Sequence, residues 1–337
     1  MFKMAIIGCG TIVQGMHVDA LKLLTERVKV TALADPSSES LAMVGKSLAI
    51  PEAHWYSDYR KMLSKEELDL VDIATPHFLH EPIAVECARA RVNIVLEKPM
   101  ATTLDEAARI LEAVDSNGVH LCIMHNYRYY PANLRAFELL KSDALGERFL
   151  YRNEGLGWGW WRGAQGYDPD WRTRSARAGG GALIDNGYHN VYLAREMIGS
   201  PVRTVYAKVG TYVQNIEVDD TALLLLGHEN GAVTSIQIAW SIKANATGVN
   251  EVHGTRGSIS FSLKPGHLAV FYNDKGEWEH PDISAPYPVT AACLFDECLE
   301  ALETGKPMPV DGREGRRNLE IILAAYQSAR TGKVVEV

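Results

Sequence analysis

Short apolar strands alternate with amphipathic helices through the first 125 residues, and this alternation restricts the fold more than any other feature of the chain. The predicted strands cover residues 3–8, 28–34, 70–74, 93–97 and 120–125. Strands that are joined through helices run parallel, because a tight hairpin cannot connect them. We therefore predict an α/β domain with a doubly wound parallel sheet.

The pattern changes beyond residue 125. After Pro201 the predicted strands follow one another without intervening helices, and Asn230-Gly231 is a strong hairpin signal between two of them. This half is predicted to be α+β with a large, mostly antiparallel sheet. The boundary between the two domains is expected near 125–131, which gives domains of residues 1–125 and 126–337.

Composition and charge exclude several classes of protein. A formal net charge of −8 favours neither nucleic acid nor an anionic membrane surface. The apolar runs are too short to cross a bilayer, and a strand follows Met1 so closely that no signal peptide is expected. Five scattered cysteines, none in a Cys-x-x-Cys pair, are typical of reduced thiols, so we expect a cytoplasmic location.

A glycine-rich turn, Gly8-Cys-Gly10-Thr11-Ile12, lies where a dinucleotide fingerprint must lie, between the first strand and the first helix. Gly8 would permit the turn, Gly10 would let the backbone approach a pyrophosphate, and the helix start would supply N–H donors. Val13 replaces the third glycine of the fingerprint. A glycine turn in a doubly wound protein that binds another ligand is the alternative.

Asp35 ends the second predicted strand, at the spacing of an acid that hydrogen-bonds both ribose hydroxyls of a dinucleotide. A carboxylate at that place repels a 2′-phosphate, and so NAD is favoured over NADP. Asp35 could also cap the following helix, and the two roles are compatible.

Two further motifs carry candidate catalytic groups. Glu97-Lys98-Pro99 follows a strand, at the edge of a parallel sheet where ligands bind, although a surface ion pair is the usual role of such a Glu-Lys pair. Asp185 and His189 are four residues apart in a predicted helix over residues 183–198, so they share one face and can form an acid–imidazole pair. A helix-stabilising pair is the alternative.

A cluster of tryptophans and arginines precedes that helix, and it includes Trp161 and Arg172. Tryptophan rings with polar neighbours suit sugar rings, although a core or a subunit interface also uses them. No metal site is predicted.

The motifs taken together resemble the glucose–fructose oxidoreductase, inositol dehydrogenase and rhizopine-catabolism family (Gfo/Idh/MocA). The matching segments, which run over nearly the whole chain, are Ala5-Ile-Ile-Gly-Cys-Gly, Leu33-Ala-Asp-Pro, Val71-Asp-Ile-Ala-Thr-Pro, Val95-Leu-Glu-Lys-Pro, Asn126-Tyr-Arg-Tyr-Tyr-Pro and Gly179-Gly-Gly-Ala-Leu-Ile-Asp-Asn-Gly-Tyr-His. The resemblance implies a Rossmann domain followed by a domain with an open-faced sheet, whose open face commonly pairs subunits into homodimers or homotetramers.

The resemblance also implies residue roles. Lys98 would polarise the substrate hydroxyl, His189 would accept its proton and Asp185 would assist His189. Glu97 would contact the cofactor ribose or hold Lys98. The remaining matched positions would line the cofactor path or the crossing into the second domain: Thr75, Pro76, His80, Asn126 and Arg128.

Tyr192 departs from the inositol-dehydrogenase-like members, many of which place an acid there, so inositol itself is less expected, although a tyrosine could still bond a hydroxyl. The predicted function is hydride transfer between NAD and a sugar, inositol or related polyol. Two alternatives stay open: an NAD-dependent glycosidase that oxidises its sugar transiently, and a non-catalytic NAD-binding sensor.

Overall fold

The computed structural model describes residues 1–159, 168–244, 248–262 and 267–337. Within them the chain forms two compact units, each built from separate pieces. Unit 1 consists of residues 1–126, 162–179 and 287–319, and unit 2 of residues 127–161, 180–286 and 320–337. The contiguous division at residue 125 stays a prediction.

Unit 1 contains a six-stranded parallel sheet in the order β3-β2-β1-β4-β5-β6, which confirms the doubly wound architecture. The strands are β1 (Phe2–Ile7), β2 (Val28–Ala34), β3 (Trp55–Tyr56), β4 (Leu70–Ile73), β5 (Asn93–Leu96) and β6 (Leu121–Ile123). Strand order reverses beside β1, between β1 and β4, and ligands bind at such switch points.

The helices of unit 1 begin and end largely where the caps predict. Thr103 and Glu106 form the expected capping box, and Gly118 ends that helix in the left-handed conformation. The α-helices that lie wholly in unit 1 are Val18–Lys22, Ser38–Ser47, Tyr59–Lys65, His80–Arg89, Leu104–Asn117, Ser175–Ala178 and Thr290–Thr304.

The first helix differs from the regular helix that the sequence predicts. A π-helical segment, Val13–His17, precedes Val18–Lys22. A π turn holds one more residue than an α turn, and such segments often occur at functional sites. Val13 and His17, at the two ends of this segment, are both fully buried.

Unit 2 contains a nine-stranded mixed sheet in the order β14-β13-β12-β11-β7-β10-β9-β8-β15. All its ladders are antiparallel except that of β10 with β7. The strands are β7 (Arg148–Leu156), β8 (Val202–Gly210), β9 (Thr221–His228), β10 (Val233–Ala239), β11 (Asn250–Gly254), β12 (Gly257–Phe261), β13 (Leu268–Tyr272), β14 (Glu277–Glu279) and β15 (Val335–Glu336). The predicted hairpin at Asn230-Gly231 is confirmed, with Gly231 at φ +84°.

The helices of unit 2 are Pro131–Lys141, Ala182–Asp185 and Gly187–Ile198, and a long helix, Gly312–Thr331, begins in unit 1 and ends in unit 2. On β9, Leu224 and Leu226 are buried, while Leu223 and Leu225 on the opposite face are each nearly half exposed. In the described part of the chain, none of the helices combines the length and the apolar content that crossing a bilayer requires.

Candidate active site

The glycine turn of unit 1 has the geometry of a phosphate seat. Gly8 lies at φ +95°, and a Cβ atom there would be 2.6 Å from the carbonyl oxygen of Ala74 on the neighbouring chain segment. A Cβ on Gly10 would meet nothing within 4 Å, so the space before it is open. Thr11 and Ile12 are exposed at the start of the helix. The turn is therefore tightly packed at Gly8 and open at Gly10, and binding of a pyrophosphate there stays a prediction.

Asp35 fastens this turn to the end of β2. One carboxylate oxygen accepts a hydrogen bond of 2.7 Å from the Cys9 amide, and the other accepts one of 2.8 Å from the Ser37 amide. The helix cap itself is Ser37, whose hydroxyl accepts from the Ser40 amide. Burial raises the pKa of Asp35, and the two amides oppose that rise. The carboxylate is only half-buried, so it can still receive ribose hydroxyls.

Thr75 and Pro76 lie in the loop after β4, and His80 begins the helix that follows this loop. The His80 ring is fully buried, with Nδ1 2.7 Å from the Pro99 carbonyl oxygen and Nε2 2.8 Å from that of Thr75. It thereby ties this loop to the segment after β5. The Thr75 hydroxyl is buried and has no hydrogen-bond partner among the described residues. Such an orphaned hydroxyl is available to a bound ligand.

Lys98 lies beside a buried chain of charged groups that sequence reasoning missed. The Glu97 carboxylate accepts a 3.0 Å bond from the Lys98 amide, and its other oxygen lies 3.1 Å from Nε2 of His17. Nδ1 of His17 lies 2.7 Å from the Asp72 carboxylate. An acid in the middle of the apolar strand Leu70-Val-Asp-Ile73 was the available signal, because a buried carboxylate needs a partner.

Charged neighbours keep His17 and Glu97 ionised in spite of their burial. Burial by itself would lower the pKa of His17, but Asp72 and Glu97 raise it to about 10. Burial would likewise raise the pKa of Glu97, but the His17 imidazolium and the Lys98 ammonium hold it below its ordinary value. At neutral pH His17 is therefore an imidazolium and Glu97 a carboxylate.

Asn126 and part of the segment after residue 168 also belong to unit 1. The Asn126 amide nitrogen lies 3.3 Å from the Met16 sulfur. Trp171, which is 5% exposed, packs edge-on against His77 with ring centroids 4.6 Å apart. The Arg172 guanidinium lies 4.3 Å above the Trp171 ring. This part of the aromatic cluster is thus packed beside the loop after β4, whereas Trp161 lies outside the described residues.

In unit 2 the glycines before Asp185 serve close packing. A Cβ on Gly180 would collide with the Tyr326 hydroxyl, and one on Gly181 with the Asp219 carbonyl. The Asp219 carboxylate accepts bonds of 2.7 and 2.8 Å from the amides of Gly181 and Leu183, which anchors the start of the helix.

The helix that carries Asp185 and His189 is broken, contrary to the continuous helix predicted. It ends at Asp185 and resumes at Gly187, and the His189 amide bonds to Asn186 three residues back. The Asn186 side chain accepts a 2.6 Å bond from the Trp240 indole, so a contact distant in sequence holds the break. Asp185 and His189 are both nearly buried, at 6% and 5% exposure.

His189 is held by two tyrosines. Tyr127 stacks on its ring at 3.8 Å with an interplanar angle of 9°, and Nδ1 lies 2.9 Å from the Tyr192 hydroxyl. The Tyr192 hydroxyl oxygen also accepts a 3.0 Å bond from the Tyr127 amide. Burial first, then the neighbouring Tyr130 and Asp185, raise the pKa of Tyr127. Tyr127 was missed, because no local pattern marks a ring that stacks on a residue 62 positions away.

Two of the predicted substrate contacts have internal partners in unit 2. The Arg128 guanidinium makes a 3.1 Å ion pair with Glu196. Tyr192 is 1% exposed. Substrate contact by Arg128, Arg172 and Tyr192 therefore stays a prediction, as does that of Lys98, Asp185 and His189.

Comparison with known proteins matches the N-terminal and C-terminal halves of the chain to models of the same protein family. Residues 2–125 match the family model described as an oxidoreductase family with an NAD-binding Rossmann fold, and residues 133–260 match the GFO/IDH/MocA C-terminal domain.

Three relatives illustrate the similarity. The chain is 28% identical to a D-apiose dehydrogenase from Paraburkholderia graminis, over 100% of this chain and 90% of that protein. It is 32% identical to a levoglucosan dehydrogenase from Pseudarthrobacter phenanthrenivorans, over 62% of this chain and 59% of that protein. A solved structure of levoglucosan dehydrogenase in complex with NADH superposes with a TM-score of 0.86 at 25% identity, covering 100% of this chain and 99% of the other.

Proposed function

Because the chain belongs to the NAD-binding Gfo/Idh/MocA oxidoreductase family, we propose that it is a dehydrogenase acting on a CH–OH group of a sugar, inositol or related polyol. The observation that carries the proposal is the His189 imidazole, nearly buried, stacked on Tyr127 and bonded through Nδ1 to Tyr192. A ring fixed in this way is equipped to accept a proton at its other nitrogen. When bound, the nicotinamide supplies the hydride chemistry.

Side chains of the protein itself stabilise the developing charge and accept the proton. Lys98 places a cation where an alkoxide develops, which is worth a few kcal/mol in a site poor in water. His189 takes the hydroxyl proton in the oxidative direction, and Asp185 stabilises the imidazolium that results.

The cofactor segment of the site is proposed in unit 1. Gly8, Gly10, Thr11 and Ile12 bind the pyrophosphate, and Asp35 bonds the adenosine ribose, which favours NAD over NADP. The remaining cofactor residues lie along the strand ends: Thr75, Pro76, His80, Glu97, Lys98 and Asn126. His80, being fully buried, acts by fixing the Thr75 and Pro99 carbonyls rather than by exposure to the ligand.

The substrate class rests on the relatives, two of which are named for D-apiose and levoglucosan. Both are cyclic polyhydroxy compounds, and a site that takes them needs hydrogen-bonding groups together with apolar faces. We propose Arg128, Trp161, Arg172 and Tyr192 as the groups that select among such rings.

The assembly and location are also proposed. The exposed leucines Leu223 and Leu225 lie on one face of the unit 2 sheet, and an apolar sheet face of this kind favours a homodimer or homotetramer. Light scattering of the purified protein tests this, since a monomer at micromolar concentration would contradict it. A cytoplasmic location fits five free cysteines, all buried.

The decisive experiment follows NADH absorbance with NAD, then NADP, across D-apiose, levoglucosan, inositols and other aldoses. The proposal expects a rise that depends on the sugar and is faster with NAD. His189→Ala should abolish it, while Tyr206→Phe on β8 serves as the matched control. In a parallel assay with nitrophenyl glycosides and NAD, release of the aglycone without net NADH would replace the proposal with a glycosidase. Tight NAD binding without turnover of any of these compounds would replace it with a sensor.

A further inference from the structure

A chain of three buried ionisable side chains runs beneath the strand ends of unit 1. It links Asp72 in β4, His17 in the π-helical segment and Glu97 after β5, through contacts of 2.7 and 3.1 Å. The side chains of Asp72 and His17 are completely inaccessible, and that of Glu97 is nearly so. The Phe295 ring closes the other side of His17, edge-on, with centroids 5.5 Å apart.

Stability alone does not account for these charges. Removing two or three charges from water costs about as much as their mutual attraction returns, and apolar side chains of similar volume often serve a core equally well. A buried ionic group therefore suggests a requirement for one particular geometry.

The geometry that the chain imposes is at Lys98. Glu97 has two carboxylate oxygens, and one is held by His17 while the other accepts the Lys98 amide at 3.0 Å. The carboxylate is thus fixed at both oxygens, and with it the backbone from which the Lys98 side chain departs. The same arrangement bears on the two roles that the resemblance leaves open for Glu97, because carboxylate oxygens engaged inside the protein favour holding Lys98 over reaching the ribose.

Ionisable side chains from several elements lie around His17. Asp72 comes from β4 and Glu97 from the end of β5. The thiols of Cys9, in the glycine turn, and Cys298, in the helix Thr290–Thr304, lie near Asp72, and burial raises the pKa of both, so they stay neutral. Among the described neighbours, the groups that stabilise the charge on His17 are therefore the carboxyl groups of Asp72 and Glu97.

We propose that His17 is a positioning residue for Lys98: held by Asp72, its imidazolium fixes the Glu97 carboxylate, which in turn sets the direction in which the Lys98 side chain leaves the strand. This inference rests on the proposed dehydrogenase function only for its effect on turnover. The positioning itself is a property of the protein without substrate.

The test reads the Lys98 ammonium directly. Lysines are reductively methylated with ¹³C-formaldehyde, which keeps their charge, and the Lys98 signal is assigned by its loss in Lys98→Arg. His17→Gln should shift or broaden this signal, because the Glu97 carboxylate loses its charged partner. The control is His54→Gln, which removes an exposed histidine that also bonds a carboxylate, that of Glu66 at 2.7 Å, in the same unit.

Two more variants separate positioning from general loss of folding. Asp72→Asn keeps the His17–Glu97 contact and should move the Lys98 signal less than His17→Gln. The double variant His17→Gln/Asp72→Asn removes one cation and one anion together, so it tests the same link if the single variant does not fold. NADH affinity within about twofold of the original protein confirms a folded cofactor site in each case.

Turnover supplies the second readout, with whichever sugar of the panel is oxidised. The positioning role expects kcat to fall at least about tenfold with KM little changed, because an interaction that acts only in the transition state is lost. The primary deuterium isotope effect on kcat should rise, since the chemical step becomes slower than product release. If the role of His17 is purely structural, His17→Gln should lower the melting temperature but leave kcat and its isotope effect unchanged in the folded enzyme.

The outcomes are distinct. A Lys98 signal that is the same in His17→Gln, or in the double variant, as in the original protein overturns the positioning role, whatever the turnover. A shifted Lys98 signal in a protein that oxidises none of the sugars overturns the proposed function and leaves the positioning role standing. A shifted signal with lowered kcat supports both.

Discussion

Removing one oxygen atom from Tyr192 should cost most of the catalytic rate while leaving the fold in place. The Tyr192 hydroxyl lies 2.9 Å from Nδ1 of His189 and accepts the Tyr127 amide at 3.0 Å. If His189 is to accept a proton at Nε2, its neutral ring must carry the other proton at Nδ1. The Tyr192 oxygen then accepts two bonds, which a hydroxyl oxygen can do.

The expected losses of kcat and of unfolding free energy follow from these two hydrogen bonds. Tyr192→Phe leaves the ring without the partner that selects its tautomer, a hydrogen bond worth about 0.5–1.5 kcal/mol. Since about 1.4 kcal/mol is a factor of ten in rate, kcat should fall by roughly three- to tenfold through this bond alone. The Tyr127 amide, left unpaired in the interior, should lower the free energy of unfolding by about 1–3 kcal/mol.

The assay is steady-state turnover of the sugar identified in the panel, with the tautomer read independently from ¹⁵N shifts of the His189 ring. Burial raises the pKa of Tyr192 well above its ordinary value, so the hydroxyl stays protonated across the assay range and adds no limb of its own to the pH profile. Tyr206→Phe is the control. Unchanged kcat together with an unchanged tautomer in Tyr192→Phe would refute the orienting role.

Four further outcomes are expected. Lys98→Met should lower kcat by about two to three orders of magnitude while the protein stays folded, and near-normal turnover would remove Lys98 from the mechanism. Asp35→Ser should weaken NAD more than NADP in fluorescence titrations, and an unchanged preference would show that the carboxylate does not meet the ribose. Because the pKa of His17 is raised to about 10, its contribution to stability is full below about pH 6.5 and is lost as the pH rises toward 10. The free energy of unfolding, measured by denaturant titrations at several pH values, should fall across this interval, and His17→Gln should flatten the fall. The same pH dependence in both proteins would contradict an ionised His17. Gly181→Ala should lower the melting temperature by several degrees, because its Cβ would overlap the Asp219 carbonyl, and an unchanged melting temperature would show that the segment around Asp219 can shift.

Much of unit 1 could be predicted from sequence because its signals are local. The strands near residues 3–8 and 28–34 are short apolar runs, and the capping box at Thr103 needs only four neighbouring residues. The two-residue strand β3 was not predicted, because its residues join the sheet through two pairings with β2 and show no alternation of their own.

The parts of the site that escaped prediction depend on contacts between distant segments. His17 and Asp72 are 55 positions apart, and only the folded sheet shows that they meet. The tripeptide Glu97-Lys98-Pro99 could be recognised, but what holds Glu97 could not. Residue types thus revealed candidate groups, while their orientation came from packing.

The interruption at Asn186 bears on any attempt to move this chemistry to another protein. On a regular helix, an acid and a histidine spaced four apart project from the same face. Here the spacing spans the end of one helix and the start of the next, and the Trp240 indole on the sheet side bonds the residue between them. A graft of the pair would therefore have to carry the tryptophan that bonds the residue between them.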